Sequence, residues 1–157
     1  MAPVLIFDFS RVVVFPKDKT YTGKLNPLHD QLSKQPGYSF FDHFELNLPL
    51  LGLLAGLKGR YHICLYTTGH IQNIREVQER LDEVFDKVYS VEQMPLAKDN
   101  TESYRYVARG LQRPPEEILY IDDTAANIEI ARKAGMNVLV YKDNDQLFHD
   151  FQAQGIV

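Results

Sequence analysis

The sequence predicts an α/β fold with a Rossmann-like, doubly wound and mainly parallel five-stranded sheet. Residues 4–7 (VLIF) are consecutive and apolar, which suits a strand buried on both faces between helices. Strand-like runs then alternate with helical patterns of about ten residues, as in βαβ units. The chain of 157 residues is long enough for one domain with a sizeable core.

The repeating units can be assigned in order along the chain. Apolar, β-prone runs predict strands at residues 3–9, 61–66, 84–89, 118–121 and 137–141. Apolar residues at helical spacing predict helices at 71–81, 100–110, 125–134 and 144–154. Gly135 follows the third of these helices and is predicted as its C-cap. No internal repeat or low-complexity segment interrupts the pattern.

The segment between the first two strands predicts a small insertion. Two β-prone runs around Pro16, within residues 11–22, favour a hairpin or flap. A short helix is predicted at 27–34. Apolar spacing favours a helix over 43–57, but Asn47 is an alternative start, since Asn caps helices well. We therefore predict a single domain of residues 1–157 with a reduced insertion at about 15–42.

Bulk composition excludes several classes of function. A net charge of −4 and a pI near 5.7 give no general electrostatic reason to bind nucleic acid or anionic membrane. The longest apolar segment, residues 46–57, is too short to span a bilayer, and no export signal is visible. The single cysteine, Cys64, excludes an internal disulfide and suits a buried core position. We expect a cytoplasmic protein without nucleic-acid or membrane partners.

Polar groups recur at the ends of the predicted strands. They are Asp8, Thr67, Lys98 and the pair Asp122 and Asp123. Each is ordinary alone, as a helix cap, a turn or a solvated lysine. In an open α/β sheet, however, the carboxyl ends of the strands share one edge, where ligands bind. The shared edge therefore favours a functional site.

This order of groups resembles the haloacid dehalogenase-like (HAD-like) hydrolase superfamily, and specifically its small-cap or capless phosphatase-like members. Residues 6–12 (IFDFSRV) are similar to its first motif and residues 65–69 (LYTTG) to its second. Lys98 ahead of a helix matches the third. The most specific match is residues 120–127 (YIDDTAAN), followed by the helix 128–136. The resemblance extends from residue 3 to about residue 141.

The resemblance implies a catalytic and metal-binding set. Asp8 would be the nucleophile of a Mg²⁺-dependent phosphatase and would form an aspartyl-phosphate. Asp8, the backbone carbonyl of Ser10 and Asp123 would bind the Mg²⁺, which prefers oxygen ligands. Asp122 and Asn127 would support this set from alongside.

It also implies a phosphate-binding set. Thr67, Thr68 and Gly69 would hold phosphate oxygens at the end of their strand. Lys98 would offset the negative charge and stabilise the phosphoryl transition state. The guanidinium of Arg11 could reach the phosphate or pair with a carboxylate of the flap; a solvent-facing arginine is the alternative.

Two departures from the family pattern leave other functions open. Ser10 stands where the phosphatases usually have the Asp that acts as acid and base, and losing such a group costs about 10²–10⁴-fold in rate. A catalytically impaired scaffold that binds phosphate or a protein partner is therefore one alternative, and a metal-independent dehalogenase is another. The small insertion predicts an open site, which suits a small or macromolecular phosphorylated substrate, or a lid provided by an oligomer partner.

Overall fold

The computed structural model describes residues 3–157; Met1 and Ala2, which belong to the predicted domain, lie outside the described residues. The described strands are β1 (Val4–Phe7), β2 (Val14–Pro16), β3 (Phe44–Leu46), β4 (His62–Thr67), β5 (Lys87–Ser90), β6 (Ile118–Asp122) and β7 (Asn137–Val140). The α-helices are α1 (Leu25–Leu32), α2 (Phe40–His43), α3 (Leu48–Leu57), α4 (Arg75–Asp82), α5 (Thr101–Gly110), α6 (Ala125–Lys133) and α7 (Asn144–Ala153).

The main sheet has five parallel strands in the order β5-β4-β1-β6-β7. Side chains of β1 alternate between its two faces: Leu5 and Phe7 join one buried cluster, whereas Val4 and Ile6 join another. The first cluster takes in α3, α4 and α7, and the second takes in α5 and α6. The α/β fold predicted from the sequence is confirmed.

The chain order of the strands fixes where a ligand can enter. From β1 the chain builds outward through β4 and β5, then crosses to build β6 and β7 on the other side. Successive connections therefore leave β1 in opposite directions, which opens a crevice beyond its carboxyl end. Phe7 is paired with Leu65 on one side and with Ile121 on the other, so the residues that follow these three meet at that crevice.

The insertion contains an antiparallel ribbon whose second strand differs from the prediction. Strand β2 pairs with β3, and Pro16 lies opposite Phe44. The predicted partner run, residues 20–22, is not a strand. There the Asp18 carboxylate accepts hydrogen bonds from the backbone amide and hydroxyl of Thr20, which closes a local turn instead.

The same ribbon corrects the helix predicted over residues 43–57. Phe44 and Leu46 are buried and Glu45 between them is partly exposed, which is the two-residue period of a strand. The alternative start is the right one: the side chain of Asn47 accepts from the amide of Leu50 and caps α3. The helix predicted at 71–81 is also divided, into a 3₁₀ turn at Ile71–Asn73 and α4.

Two smaller expectations concern Cys64 and Gly135. Cys64 is fully buried in β4, and burial raises the pKa of its thiol to about 12, so it is an inert core residue. Gly135 has φ +100° just after α6, the left-handed conformation expected after a helix C-terminus. Within residues 3–157, the helices are all too short or too polar to cross a bilayer.

Candidate functional site

A cavity of about 600 Å³ lies at the carboxyl edge of the sheet. Residues 22–27 of the insertion form one wall of it. Of the site residues predicted from the sequence, Asp122 is fully buried and does not line the cavity. The others do: Asp8, Ser10, Arg11, Thr67, Thr68, Gly69, Lys98, Asp123 and Asn127.

Lys98 brings a buried cation to the floor of this cavity. It lies in the loop between β5 and α5 and is 5% exposed. Its ammonium donates to Asp8 Oδ1 at 2.5 Å and to the carbonyl of Tyr66 at 3.1 Å. Asp122 Oδ2 is 3.4 Å away. The rings of Tyr66 and Tyr120 also face the ammonium, at 4.9 and 5.6 Å from their centroids, and add cation–π attraction.

The two partners of this ion pair shift one another's ionisation. Burial alone lowers the pKa of Lys98, but the carboxylates of Asp8 and Asp122 outweigh it and raise the pKa above its ordinary value. Burial raises the pKa of Asp8, which Lys98 opposes and Asp122 reinforces. Lys98 is therefore a permanent ammonium, and it is shared between two carboxylates.

Both oxygens of the Asp122 carboxylate accept hydrogen bonds from the protein. Oδ1 accepts from the amide of Thr124 at 2.8 Å. Oδ2 accepts from the hydroxyl of Tyr120 at 2.5 Å and from Asn127 Nδ2 at 3.0 Å. Burial, followed by the charge of Asp122, holds the pKa of Tyr120 well above its ordinary value, so the hydroxyl stays a donor. Asp122 thus fixes its neighbours in position.

Tyr120 is a site residue that the sequence reasoning missed. It precedes Asp122 by two positions in β6, so both side chains point to the same face of the sheet. The period of a strand could therefore have identified it. Neither its aromatic ring nor its place in an apolar run suggested a polar contact.

Asp8 and Asp123 have oxygens to offer a cation. Carboxylate oxygens of Asp8, Asp122 and Asp123 lie within 4.8 Å of one another. Partial burial, with the charges of Asp8 and Asp122, raises the pKa of Asp123 to about 6. Two of these acids, Asp8 and Asp122, share the ammonium of Lys98, the third lies beside them, and all their donor atoms are hard oxygens. This donor set fits a Mg²⁺-type ion, whose charge would relieve the crowding.

The loop after β4 is held by a residue from the insertion. Asn26 Oδ1, at the start of α1, accepts from the amides of His70 and Ile71 at 2.9 and 3.2 Å. A Cβ on Gly69 would lie 2.0 Å from the Asn26 side chain, so only glycine allows this approach. No sequence pattern indicates this contact between residues 44 positions apart.

Arg11 is turned towards the insertion. Its Nη2 donates to the carbonyls of Tyr21 and Gly23 at 3.1 and 2.7 Å. Its own backbone has φ +61°, a conformation that glycine adopts more readily than arginine. Arg11 therefore contacts the flap as one alternative predicted, but through backbone carbonyls and not through a carboxylate, and it also lines the cavity.

Comparisons with known proteins agree with this geometry. A family model described as haloacid dehalogenase-like hydrolase matches residues 35–135, well over half of the chain. The chain belongs to this family. The match confirms the resemblance inferred from the strand-end motifs.

Curated relatives of this HAD-like hydrolase are distant and much longer. Bifunctional epoxide hydrolase 2 of Rattus norvegicus is 23% identical over 115 residues, which are 69% of this chain and 21% of that protein. Drimenol cyclase drtB of Aspergillus calidoustus is 27% identical over 64 residues, 41% of this chain and 12% of that protein. The chain therefore matches about a fifth of the first relative's length and less of the second.

Solved structures are similar over nearly the whole fold. A predicted HAD-like family hydrolase from Porphyromonas gingivalis has a TM-score of 0.71 at 16% identity, over 98% of both chains. The wild-type HAD family enzyme of Bacteroides thetaiotaomicron, in complex with magnesium and inorganic phosphate, has a TM-score of 0.65 at 17% identity. It is matched over 94% of this chain and 100% of that one.

Proposed function

We propose that this HAD-like hydrolase is a Mg²⁺-dependent phosphohydrolase that acts through an aspartyl-phosphate on Asp8. The observation that carries the proposal is the 2.5 Å contact between Lys98 Nζ and Asp8 Oδ1 at the floor of an open cavity. A fixed ammonium beside a carboxylate stabilises the charge of a phosphoryl group as it moves onto that carboxylate.

The charge balance of the site favours a divalent cation. Both oxygens of Asp122 already accept hydrogen bonds from the protein, so Asp8, Asp123 and the backbone carbonyl of Ser10 would hold the ion. When bound, Mg²⁺ would neutralise the incoming phosphate and so permit attack by an anionic carboxylate. The magnesium and phosphate in the similar Bacteroides thetaiotaomicron enzyme support this assignment.

The chemistry then divides into two displacements. A carboxylate oxygen of Asp8 attacks phosphorus, and the bond from phosphorus to the substrate oxygen breaks. Water next attacks the phosphorus of the aspartyl-phosphate, which releases inorganic phosphate and restores the carboxylate. Thr67, Thr68 and Gly69 would hold the phosphate oxygens, while Asn127 and Asp122 keep the acidic residues in position.

Ser10 limits which leaving groups this site can expel. A serine hydroxyl cannot donate a proton to the departing oxygen near neutral pH as a carboxylic acid can. The leaving group of an aryl phosphate is a stable phenolate, which departs without protonation. The leaving group of an alkyl phosphate is a basic alkoxide, which needs a proton as it departs. We therefore expect hydrolysis of aryl phosphates to exceed that of alkyl phosphates by about 10²–10⁴-fold, the usual worth of a placed acid.

The same serine favours one second candidate, a scaffold that binds phosphate without turnover. The distinguishing experiment measures kcat/KM on an aryl and an alkyl phosphate, with Mg²⁺ and with EDTA. The proposal expects Mg²⁺-dependent aryl phosphate hydrolysis that is lost in Asp8→Asn. Binding of Mg²⁺ and beryllofluoride without any turnover would instead identify the scaffold.

Ser10→Asp and Ser10→Asn form the matched pair for the role of the serine. Ser10→Asp restores an acid and should raise alkyl phosphate hydrolysis towards the aryl rate. Ser10→Asn is nearly the same size but cannot donate an acidic proton, so it should leave the ratio of the two rates unchanged. Equal gains in both variants would refute the leaving-group argument.

A further inference from the structure

A second group of metal-type ligands lies at the rim of the cavity, outside the acidic site. His29 and Asp30 come from α1, and His70 comes from the loop after β4. One ligand atom from each lies within 4.8 Å of the other two. His70 Nε2 is 2.7 Å from Asp30 Oδ1. Nothing in the proposed phosphohydrolase chemistry uses these three side chains.

The helix geometry explains why they converge. Asn26 precedes His29 by three residues and Asp30 by four, so all three share one face of α1. Asn26 binds the amides of His70 and Ile71, which sets this face against the loop. The imidazole of His70 is thereby brought to Asp30 by the backbone contacts and not only by its own ion pair.

Nδ1 of each imidazole faces an oxygen of a neighbouring side chain. His29 Nδ1 is hydrogen-bonded to the hydroxyl of Tyr38 at 2.8 Å. His70 Nδ1 faces Glu92 Oε1 at 3.9 Å. The remaining nitrogen of each ring is Nε2, and that of His70 faces Asp30 Oδ1. A hydrogen-bonded partner such as Tyr38 fixes the tautomer and orientation of a metal-binding histidine and raises affinity, whereas Glu92 is too far from His70 for a hydrogen bond and acts by its charge.

Packing holds the first ring in place. The ring of His29 contacts those of Phe40 and Phe44 edge-on, with centroids 5.9 and 6.4 Å apart. Both phenylalanines are buried, so the imidazole rests on the core of the insertion.

We propose that His29, Asp30 and His70 form a binding site for a borderline transition-metal cation, Zn²⁺ in the first place. Two imidazoles and one carboxylate are a usual set of three protein ligands for Zn²⁺, whereas Mg²⁺ prefers oxygens alone. Tetrahedral Zn²⁺ ligands lie about 3.3 Å apart. Here His70 Nε2 and Asp30 Oδ1 are 2.7 Å apart, and each of the other two pairs of ligand atoms is within 4.8 Å. Small side-chain rotations therefore suffice.

The consequence of binding would be a crosslink between α1 and the loop after β4. Those segments form two walls of the cavity and are otherwise tied by Asn26. A bound Zn²⁺ would fix residues 22–27 against Gly69 and so hold the insertion in one position over the acidic site. This inference stands without the phosphohydrolase proposal, since it concerns different residues and a different class of metal.

The test titrates ZnCl₂ into the EDTA-treated and dialysed full chain by calorimetry, in excess Mg²⁺ to occupy carboxylate-only sites. We expect one equivalent of Zn²⁺ to bind and to resist displacement by Mg²⁺. His29→Gln and His70→Gln should each weaken binding at least tenfold, and Tyr38→Phe about tenfold. His149→Gln, which changes an exposed histidine on α7, is the matched control and should bind as the parent chain does.

Two outcomes would overturn the proposal: no Zn²⁺ binding, or binding that survives both His→Gln changes and disappears in Asp123→Asn. The second would mean that Zn²⁺ enters the acidic site. If a histidine variant fails to fold, crystals of the parent chain soaked in Zn²⁺ decide instead. An anomalous scattering peak between His29, Asp30 and His70 is expected, and a peak only beside Asp8 would refute it.

Discussion

The molecule contains two clusters of metal-type ligands that are built in opposite ways. The acidic cluster of Asp8, Asp122 and Asp123 follows strands of the central sheet, and two of its members, Asp8 and Asp122, pair with the buried ammonium of Lys98. The rim cluster of His29, Asp30 and His70 joins the insertion to a loop. Its ion pair is half-exposed, with side chains 40% and 53% accessible.

The acidic cluster is required for the stability of the fold, whereas the rim cluster is not. Buried charges must be paired, so the acidic cluster and Lys98 depend on one another for the fold itself. Exposed charges interact weakly through water, so the rim cluster contributes little until a metal joins it. The first cluster should therefore respond strongly to substitution in every condition. The second should respond mainly when a cation is present.

Lys98→Met should show the largest effect. It leaves the buried carboxylates of Asp8 and Asp122 without their shared cation, which typically costs about 3–5 kcal/mol. We expect the free energy of unfolding, measured by urea denaturation in EDTA, to fall by that amount. Lys142→Met, at an exposed lysine, should change it little.

A second variant separates unpaired charge from lost packing. Lys98→Met combined with Asp8→Asn removes both members of the closest ion pair and should recover part of the lost stability. If the double variant is as unstable as the sum of the single ones, the loss comes from packing of the lysine stem. The contrast with the rim cluster would then fail.

Tyr120→Phe tests how much the hydrogen bond from Tyr120 to Asp122 stabilises the acidic cluster. The change removes a hydrogen bond to the buried carboxylate of Asp122, and bonds to charged groups contribute about 1.5–3 kcal/mol. Tyr66→Phe is the matched control, because the Tyr66 hydroxyl donates to the neutral Ser103 and should cost only about 0.5–1.5 kcal/mol. Chemical denaturation of both variants checks the order, and equal losses would contradict it.

The acidic cluster could be predicted because strand ends are visible in sequence. Asp8, Thr67 and Asp122 each close an apolar run, and a parallel sheet brings such ends to one edge. The roles assigned to these residues stay predictions. Tyr120 shares a face of its strand with Asp122, which follows from the strand period. It does not stand out in the sequence, because it lies in an apolar run that is typical of a core strand.

The rim cluster could not be predicted because the residues that bring its two segments together do not stand out in the sequence. Asn26 and Gly69 meet across the insertion. Asn26 belongs to no motif, and the motif that contains Gly69 implies phosphate binding for it and not this contact. The β2–β3 ribbon was misassigned for a similar reason: Phe44 and Leu46 continue the apolar pattern of α3, so their strand period is short and easily taken for helix. Local pattern defines elements, but the docking of an insertion depends on distant packing.

Gly69→Ala probes that docking directly. Its Cβ would collide with the Asn26 side chain, so Asn26 must release the amides of His70 and Ile71. Leaving these partly buried donors unpaired should lower the free energy of unfolding by about 1–3 kcal/mol. Asn26→Ala already loses those bonds and leaves room for the new methyl group. The double variant should therefore be less destabilised than the sum of the two, by at least about 0.5 kcal/mol. Additive losses in thermal or urea unfolding would show that the two residues do not interact.

Asp30→Asn should have the smallest effect on stability. It tests whether the rim cluster contributes little until a metal binds. The ion pair of Asp30 with His70 is about half exposed, and pairs of this kind contribute under about 1 kcal/mol. Asparagine also keeps an oxygen that can accept from His70. We expect urea unfolding in EDTA to be nearly unchanged, while Zn²⁺ stabilises the parent chain more than the variant, since a neutral amide is a poor ligand for Zn²⁺. A large loss of stability in EDTA would mean that the rim cluster, like the acidic one, is required by the fold itself.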